Sequence, residues 1–288
     1  MNWIKGGWLT GFIGVMIFAG SLPATRAAVA DFDPLFLTSA RAIIAATLGA
    51  MLLVIGRQRR PALSDLFSLA ITAAGVVVGF PLLTALALQQ VSSAHSIVFL
   101  GLLPLCTAAF AVLRGGERLQ PAFWLFAIVG GALVAGYALS NDSGGTMRSD
   151  LLMTAAVIVC GLGYAEGAKL TRRLGGWQVI SWALLLSLPV MIPMAWFTVP
   201  PTFSQISTSA WMGFVYVSVF SMLIGFIFWY HGLAKGGIAA VGQLQLVQPF
   251  MALGLASLLL HESVSAMMLL ITLGAVTCVI GAKRFAVR

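Results

Sequence analysis

Few residues in this chain could do chemistry, and none is arranged for catalysis. Three amides, Gln243, Gln245 and Gln248, share one apolar run, and Gln245 and Gln248, three apart, lie on one helical face. Such amides can hydrogen-bond the amino and carboxylate groups of a zwitterion without carrying charge, or tie neighbouring helices for about 0.6 kcal/mol each. Arg41 lies about seven residues into another apolar run, roughly 10 Å deep at 1.5 Å per residue. It reads either as a carboxylate-binding cation or as a guanidinium snorkelling towards Asp31 or Asp33. Tyr164 and Glu166 precede Lys169. Glu166 could bind a substrate ammonium or carry a proton, or pair locally with Lys169. His95 and His231 sit at opposite ends of their runs and could relay protons. Phe80 and Phe226 fall close to mid-run and could wall a cavity. Cys106, Cys160 and Cys278 each sit inside an apolar run, with no disulfide framework or metal spacing. No His-Glu-x-x-His, no aspartate inside a span and no phosphate-cradling Gly-x-x-x-x-Gly-Lys loop is present, so the chain reads as neither an intramembrane enzyme nor an ATP-driven pump. The chemistry on offer is reversible binding without a cofactor or metal.

The elements that must position these residues are membrane spans. The chain is 60% hydrophobic and only 8% charged, against about 25% charged in a soluble domain. Apolar helices of about 20 residues satisfy their own backbone groups in a bilayer. Ten apolar segments are read: 8–28, 35–55, 67–89, 95–113, 121–139, 151–170, 177–198, 209–232, 239–260 and 264–282. A sequence pI near 10 does not point to nucleic acid, because the cations fall in short clusters between apolar runs and form no basic face. With the N-terminus inside, thirteen of sixteen Lys and Arg residues fall on the inner side, which predicts cytoplasmic N- and C-termini by the positive-inside rule. A signal-peptide reading ending at Ala28-Val29-Ala30 is rejected, because its apolar stretch is too long and Arg26 crowds the supposed cleavage site.

The spans repeat. Pro104 precedes Glu117 by thirteen residues, and Pro249 precedes Glu262 by the same spacing, 145 positions on. Gly79-Phe80 and Gly225-Phe226 echo one another upstream. Residues 1–144 and 145–288 are therefore expected to be two five-helix repeats. An odd number of crossings inverts the second, giving an all-α integral membrane protein of ten helices around a central cavity. Pro104 and Pro249 cannot donate to the carbonyls of Leu100 and Gln245. The fourth and ninth helices are expected to kink at mid-bilayer, with those carbonyls facing a polar cavity. Glu117 and Glu262 are read as favourable charges at the starts of the fifth and tenth helices. Gly75 with Gly79, and Gly163 with Gly167, form small-xxx-small pairs for close helix packing.

In these residues the chain resembles the drug/metabolite transporter superfamily, in its ten-helix EamA-type branch. Phe18-Ala19-Gly20-Ser21-Leu22-Pro23-Ala24-Thr25-Arg26 is similar to that family's first-span Trp-Gly-Ser-Asn-Phe-x-Ala-x-Lys pattern, with Phe18 for the usual Trp and Arg26 for the usual Lys. Arg41 matches an arginine typical of the second span. Pro104 through Gly131 and Pro249 through Gly281 resemble the proline, Gly-Glu and Gly-Ala hallmarks, with His261 where glycine is usual. The resemblance implies a secondary transporter in the bacterial inner membrane, working by alternating access and exporting or exchanging small metabolites. The chain is most similar to the YddG-type amino-acid exporters; drugs and purines are the alternative cargo. Candidate substrate-binding residues are then Gln245, Gln248, Tyr164, Phe80, Ser21, Arg41 and His95. Pro104, Pro249 and Pro23 are the candidate kinks, and Glu166 and His231 the candidate proton carriers. The expected partners are the lipid bilayer and a small solute, with no nucleic acid; a monomer is compatible with the sequence.

Overall fold

The computed structural model describes residues 2–116, 118–139 and 145–285. Glu117 and Asp142 lie outside the described residues, as does the side chain of Gln243. No strand occurs among the described residues. Eight helices are long and apolar enough to span a bilayer: α1 (Gly7–Ala28), α2 (Pro34–Ile55), α3 (Leu63–Leu88), α4 (Ser93–Gly115), α6 (Met147–Leu174), α7 (Gly176–Thr198), α8 (Thr208–Gly236) and α9 (Ile238–Leu260). Two further apolar helices, α5 (Pro121–Leu139) and α10 (Ala266–Lys283), complete ten. Each expected span is found, with ends within a few residues.

Contacts at the helix ends show how the ten helices alternate. At one face Gly236 packs on Gly7, Trp177 on Gly56, and Gln178 reaches Gln58. There too Arg173 binds Asp65, and the amide of Gln120 donates to the Phe285 carbonyl. At the other face Asp31 meets Ser207, Arg26 meets the Leu88 carbonyl, His95 meets Asp150, and Glu262 meets Ser93. Every helix therefore runs opposite to its predecessor. The chain enters α1 at the first face and α6 at the second, so the second set of five helices is inverted relative to the first.

Packing repeats this symmetry. α1 lies along α8 as α6 lies along α3, while α2 pairs with α7 and α5 with α10. The first two pairs touch through backbone. A Cβ on Gly75 would lie 2.9 Å from Gly163 Cα, and one on Gly232 would lie 2.7 Å from Gly11 Cα. Bilayer lipid supplies no hydrophobic drive between helices, so such glycine-lined approaches carry association through dispersion. The sequence reading found the α3–α6 glycines and missed the equivalent Gly7, Gly11, Gly232 and Gly236.

The helices are interrupted where the repeat echoes. α3 is π-helical over Ala73–Gly79 and α8 over Tyr216–Ile224, each ending at the Gly-Phe dipeptide. α4 and α9 each contain a 3₁₀ turn, Leu100–Leu102 and Gln243–Leu246, and Pro104 and Pro249 lie just beyond. α1 breaks at Gly20, three residues before Pro23. The expectation that the Leu100 and Gln245 carbonyls face a polar cavity is corrected. The tighter turn lets the Leu103 amide reach the Leu100 carbonyl, and the Val247 amide reach those of Leu244 and Gln245. A 3₁₀ turn thus re-satisfies the groups that proline orphans.

The two ends of the echo also match. α4 closes on Gly116 at φ 71° and α9 on His261 at φ 52°, their amides bonding the Ala111 and Ala256 carbonyls. Both need the left-handed region, which glycine enters freely and histidine at some cost. Glu262 does not serve its own helix. Its carboxylate accepts from the Ser93 and Ala94 amides at 3.0 and 2.8 Å and from the Ser93 hydroxyl at 2.6 Å, capping the start of α4. The dipole argument holds, but for a helix of the other repeat.

Candidate functional site

Where α1, α2, α3, α6, α8 and α9 meet, they border a cavity. It is lined by Phe18, Ser21 and Leu22 of α1, Arg41 of α2, Val76, Phe80 and Pro81 of α3, Tyr164 of α6, Ser221 and Phe226 of α8, and Gln248 of α9. The break in α1 brings Ser21 to the wall. The π segments end just before Phe80 and Phe226, and the 3₁₀ turn of α9 ends just before Gln248. The breaks in α1, α3, α8 and α9 thus border one space near mid-helix, whereas the 3₁₀ turn of α4 contributes no residue to it. The free volume is about 20 Å³, room for about one water molecule. A solute enters only if the helices part.

The cavity is lined by both polar and apolar groups. Ser21 and Ser221 hydroxyls lie 2.7 Å apart, and Arg41 Nη2 donates to Ser221 Oγ at 3.5 Å. Gln248 Nε2 donates to the Phe18 carbonyl at 3.5 Å. These polar groups come from α1, α2, α8 and α9. α3 and α6 contribute Val76, Phe80, Pro81 and Tyr164. The Phe18 ring lies 5.0 Å from Phe226 and 6.3 Å from Tyr164. Arg41 Nε and Gln248 Oε1 are buried with no hydrogen-bond partner among the described residues. Such groups cost free energy unless something else satisfies them.

Six residues singled out in the sequence converge here: Ser21, Arg41, Phe80, Tyr164, Phe226 and Gln248. Arg41 does not snorkel. It is 5% exposed, and both acids offered to it are engaged elsewhere: Asp31 accepts from Ser207, and Asp33 caps α2 by accepting from the Leu35 and Phe36 amides. Gln245 is buried, its amide without a partner among the described residues, but it is not part of the cavity wall. His95 is not in the wall either: its Nε2 lies 2.7 Å from Asp150 Oδ1 at the end of α4 and α6 remote from the N-terminus. His231 is half-buried in α8 towards the N-terminal face. Glu166 lies near that face too, fully buried. Arg114 Nε donates to it at 2.9 Å and Ser68 Oγ at 2.6 Å, while Lys169 is 3.9 Å away. The local pair with Lys169 is therefore the weakest of its three contacts. Ser221 escaped the sequence reading because a serine in an apolar run carries no spacing signal. The Gly-Phe echo four residues later was the cue.

A multi-pass membrane transporter of two inverted repeats is the class this architecture defines. The sequence profile of the EamA-like transporter family matches residues 5–139 and again 147–282, and the chain belongs to that family. It is 61% identical over 286 residues to the "Uncharacterized transporter YdeK" of Bacillus subtilis (strain 168), covering 99% of this chain and 100% of that one. A solved structure titled only "Crystal structure of protein" superposes with a TM-score of 0.72 at 18% identity, covering 98% of each chain. That likeness bears on the fold alone.

Proposed function

We propose that this protein is a secondary transporter that exports small metabolites, amino acids first among them, across the bacterial inner membrane. The carrying observation is the cavity near mid-helix, walled by both repeats and lined by both polar and apolar side chains. An amino acid has matching chemistry: a hydrogen-bonding head and a side chain of variable apolarity. Inverted repeats let the same space open to either face in turn. The concentration of Lys and Arg on the N-terminal face supports cytoplasmic termini. The first repeat is taken as residues 1–144 and the second as 145–288. Reconstitution into liposomes tests the reading. Internal unlabelled amino acid should drive uptake of external labelled amino acid by counterflow. Counterflow with purines or cationic drugs but with no amino acid would replace this cargo by the alternative.

A further inference from the structure

We infer that Ser21, Arg41 and Ser221 form a carboxylate-binding subsite, so that an acid group is obligatory in the substrate and an ammonium group is not. The inference rests on the proposed site and names what its polar groups select.

The three side chains come from three helices and meet on one oxygen. Ser221 Oγ is 2.7 Å from Ser21 Oγ and 3.5 Å from Arg41 Nη2. All three are at least nine-tenths buried, at 7%, 5% and 4% exposure for Ser21, Arg41 and Ser221. Ser221 is a neutral and distant acceptor for Arg41, and Arg41 Nε has none among the described residues. A guanidinium this deep is costly unless an anion meets it. None of the residues lining the cavity is acidic, so the anion must arrive with the solute. A carboxylate fits the guanidinium fork with two parallel hydrogen bonds and shortens them by charge. Its remaining lone pairs can take the two hydroxyl protons.

Nothing of the kind awaits an ammonium group. The acceptors at hand are neutral: Gln248 Oε1, which has no partner, and the faces of Phe18, Tyr164 and Phe226. An ammonium group bound there leaves Arg41 uncompensated nearby. A decarboxylated amine would place a second cation beside the guanidinium in a poorly screened space. A keto acid lacking the amine would leave the cavity electrically neutral.

Carboxylate capture also has a structural consequence. Ser221 links α8 to α1 through Ser21 and to α2 through Arg41. A carboxylate that takes over Arg41 and accepts from both hydroxyls replaces the direct Ser221 contacts to Ser21 and Arg41. Binding then exchanges the direct ties between α8, α1 and α2 for ties through the substrate.

The test uses purified full-length protein and three molecules of one skeleton: leucine, 4-methyl-2-oxopentanoate and isoamylamine, read by ligand-induced thermal shift. The expected result is stabilisation by both acids and none by the amine. Ser221→Ala should weaken both acids about tenfold, the loss of one hydrogen bond to a charged group. Arg41→Gln should abolish both. Should that variant fail to fold, Arg41→Lys keeps the charge, loses the fork, and should bind more weakly than wild type. Binding of the keto acid without leucine would end the amino-acid reading and leave the subsite standing. Binding of the amine as strongly as the acids, binding of leucine without the keto acid, no binding of either acid, or acid binding unchanged in the Ser221 and Arg41 variants would each overturn the inference.

Discussion

Gly167 marks how little slack there is at the α6–α8 contact. A Cβ there would lie 2.3 Å from Tyr230 Cζ, whereas one on Gly254 would meet nothing within 4 Å. Gly167→Ala should therefore destabilise by about 1–3 kcal/mol through overpacking. Gly254→Ala should be neutral or stabilising by up to about 1 kcal/mol, since glycine weakens a helix interior. Thermal unfolding in detergent compares the two. At the surface, the Ser207 hydroxyl and amide donate to Asp31 and hold its carboxyl below the ordinary 3.8. A carboxylate lowered on folding stabilises above its unfolded value and loses that contribution as pH falls through the lowered one. The melting advantage of wild type over Asp31→Asn should thus be present at neutral pH and vanish in acid well below pH 3.8. Single residues were legible where polarity contradicted an apolar run, as with Arg41 and Gln248. They were not legible where the partner was remote: nothing near His95 in the chain names Asp150, and nothing near Glu262 names Ser93.

The spans themselves could be read from hydropathy, since each helix must satisfy its backbone within itself. Their interruptions could be read only in part. Proline announces a lost amide, so breaks near Pro23, Pro104 and Pro249 were expected. The remedy was not, because a 3₁₀ turn recovers the carbonyl that proline abandons, and no residue type encodes that choice. The π segments have no proline signal at their starts. Only the Gly-Phe echo pointed to them, and it gave a position without a conformation. The π segment of α8 and the 3₁₀ turn of α9 place Ser221, Phe226 and Gln248 in the cavity wall, which gives Pro249 a measurable role. Pro249→Ala supplies the missing amide and favours continuous α-helix through the turn. It should leave expression intact and reduce counterflow. Undiminished counterflow would show that the break serves packing alone.

At the scale of the molecule, two inverted halves meet through backbone crossings of α1 with α8 and α3 with α6. The five-helix echo in the sequence foretold this inversion, because an odd number of crossings leaves no other course. What the echo could not foretell is the asymmetry within it. Ser21, Arg41, Ser221 and Gln248 bring polar groups to the cavity from α1, α2, α8 and α9, whereas the lining from α3 and α6 is chiefly apolar. Fold symmetry supplies two ways to open; sequence asymmetry supplies one way to bind. The central claim is that this single cavity is reached from each face in turn. Ser21→Cys, with Cys106, Cys160 and Cys278 replaced, places one thiol in the wall. In vesicles of known orientation, a membrane-impermeant thiol reagent should label it from either side, and a bound carboxylate substrate should slow both reactions. Labelling confined to one side under all conditions would contradict alternating access through this cavity.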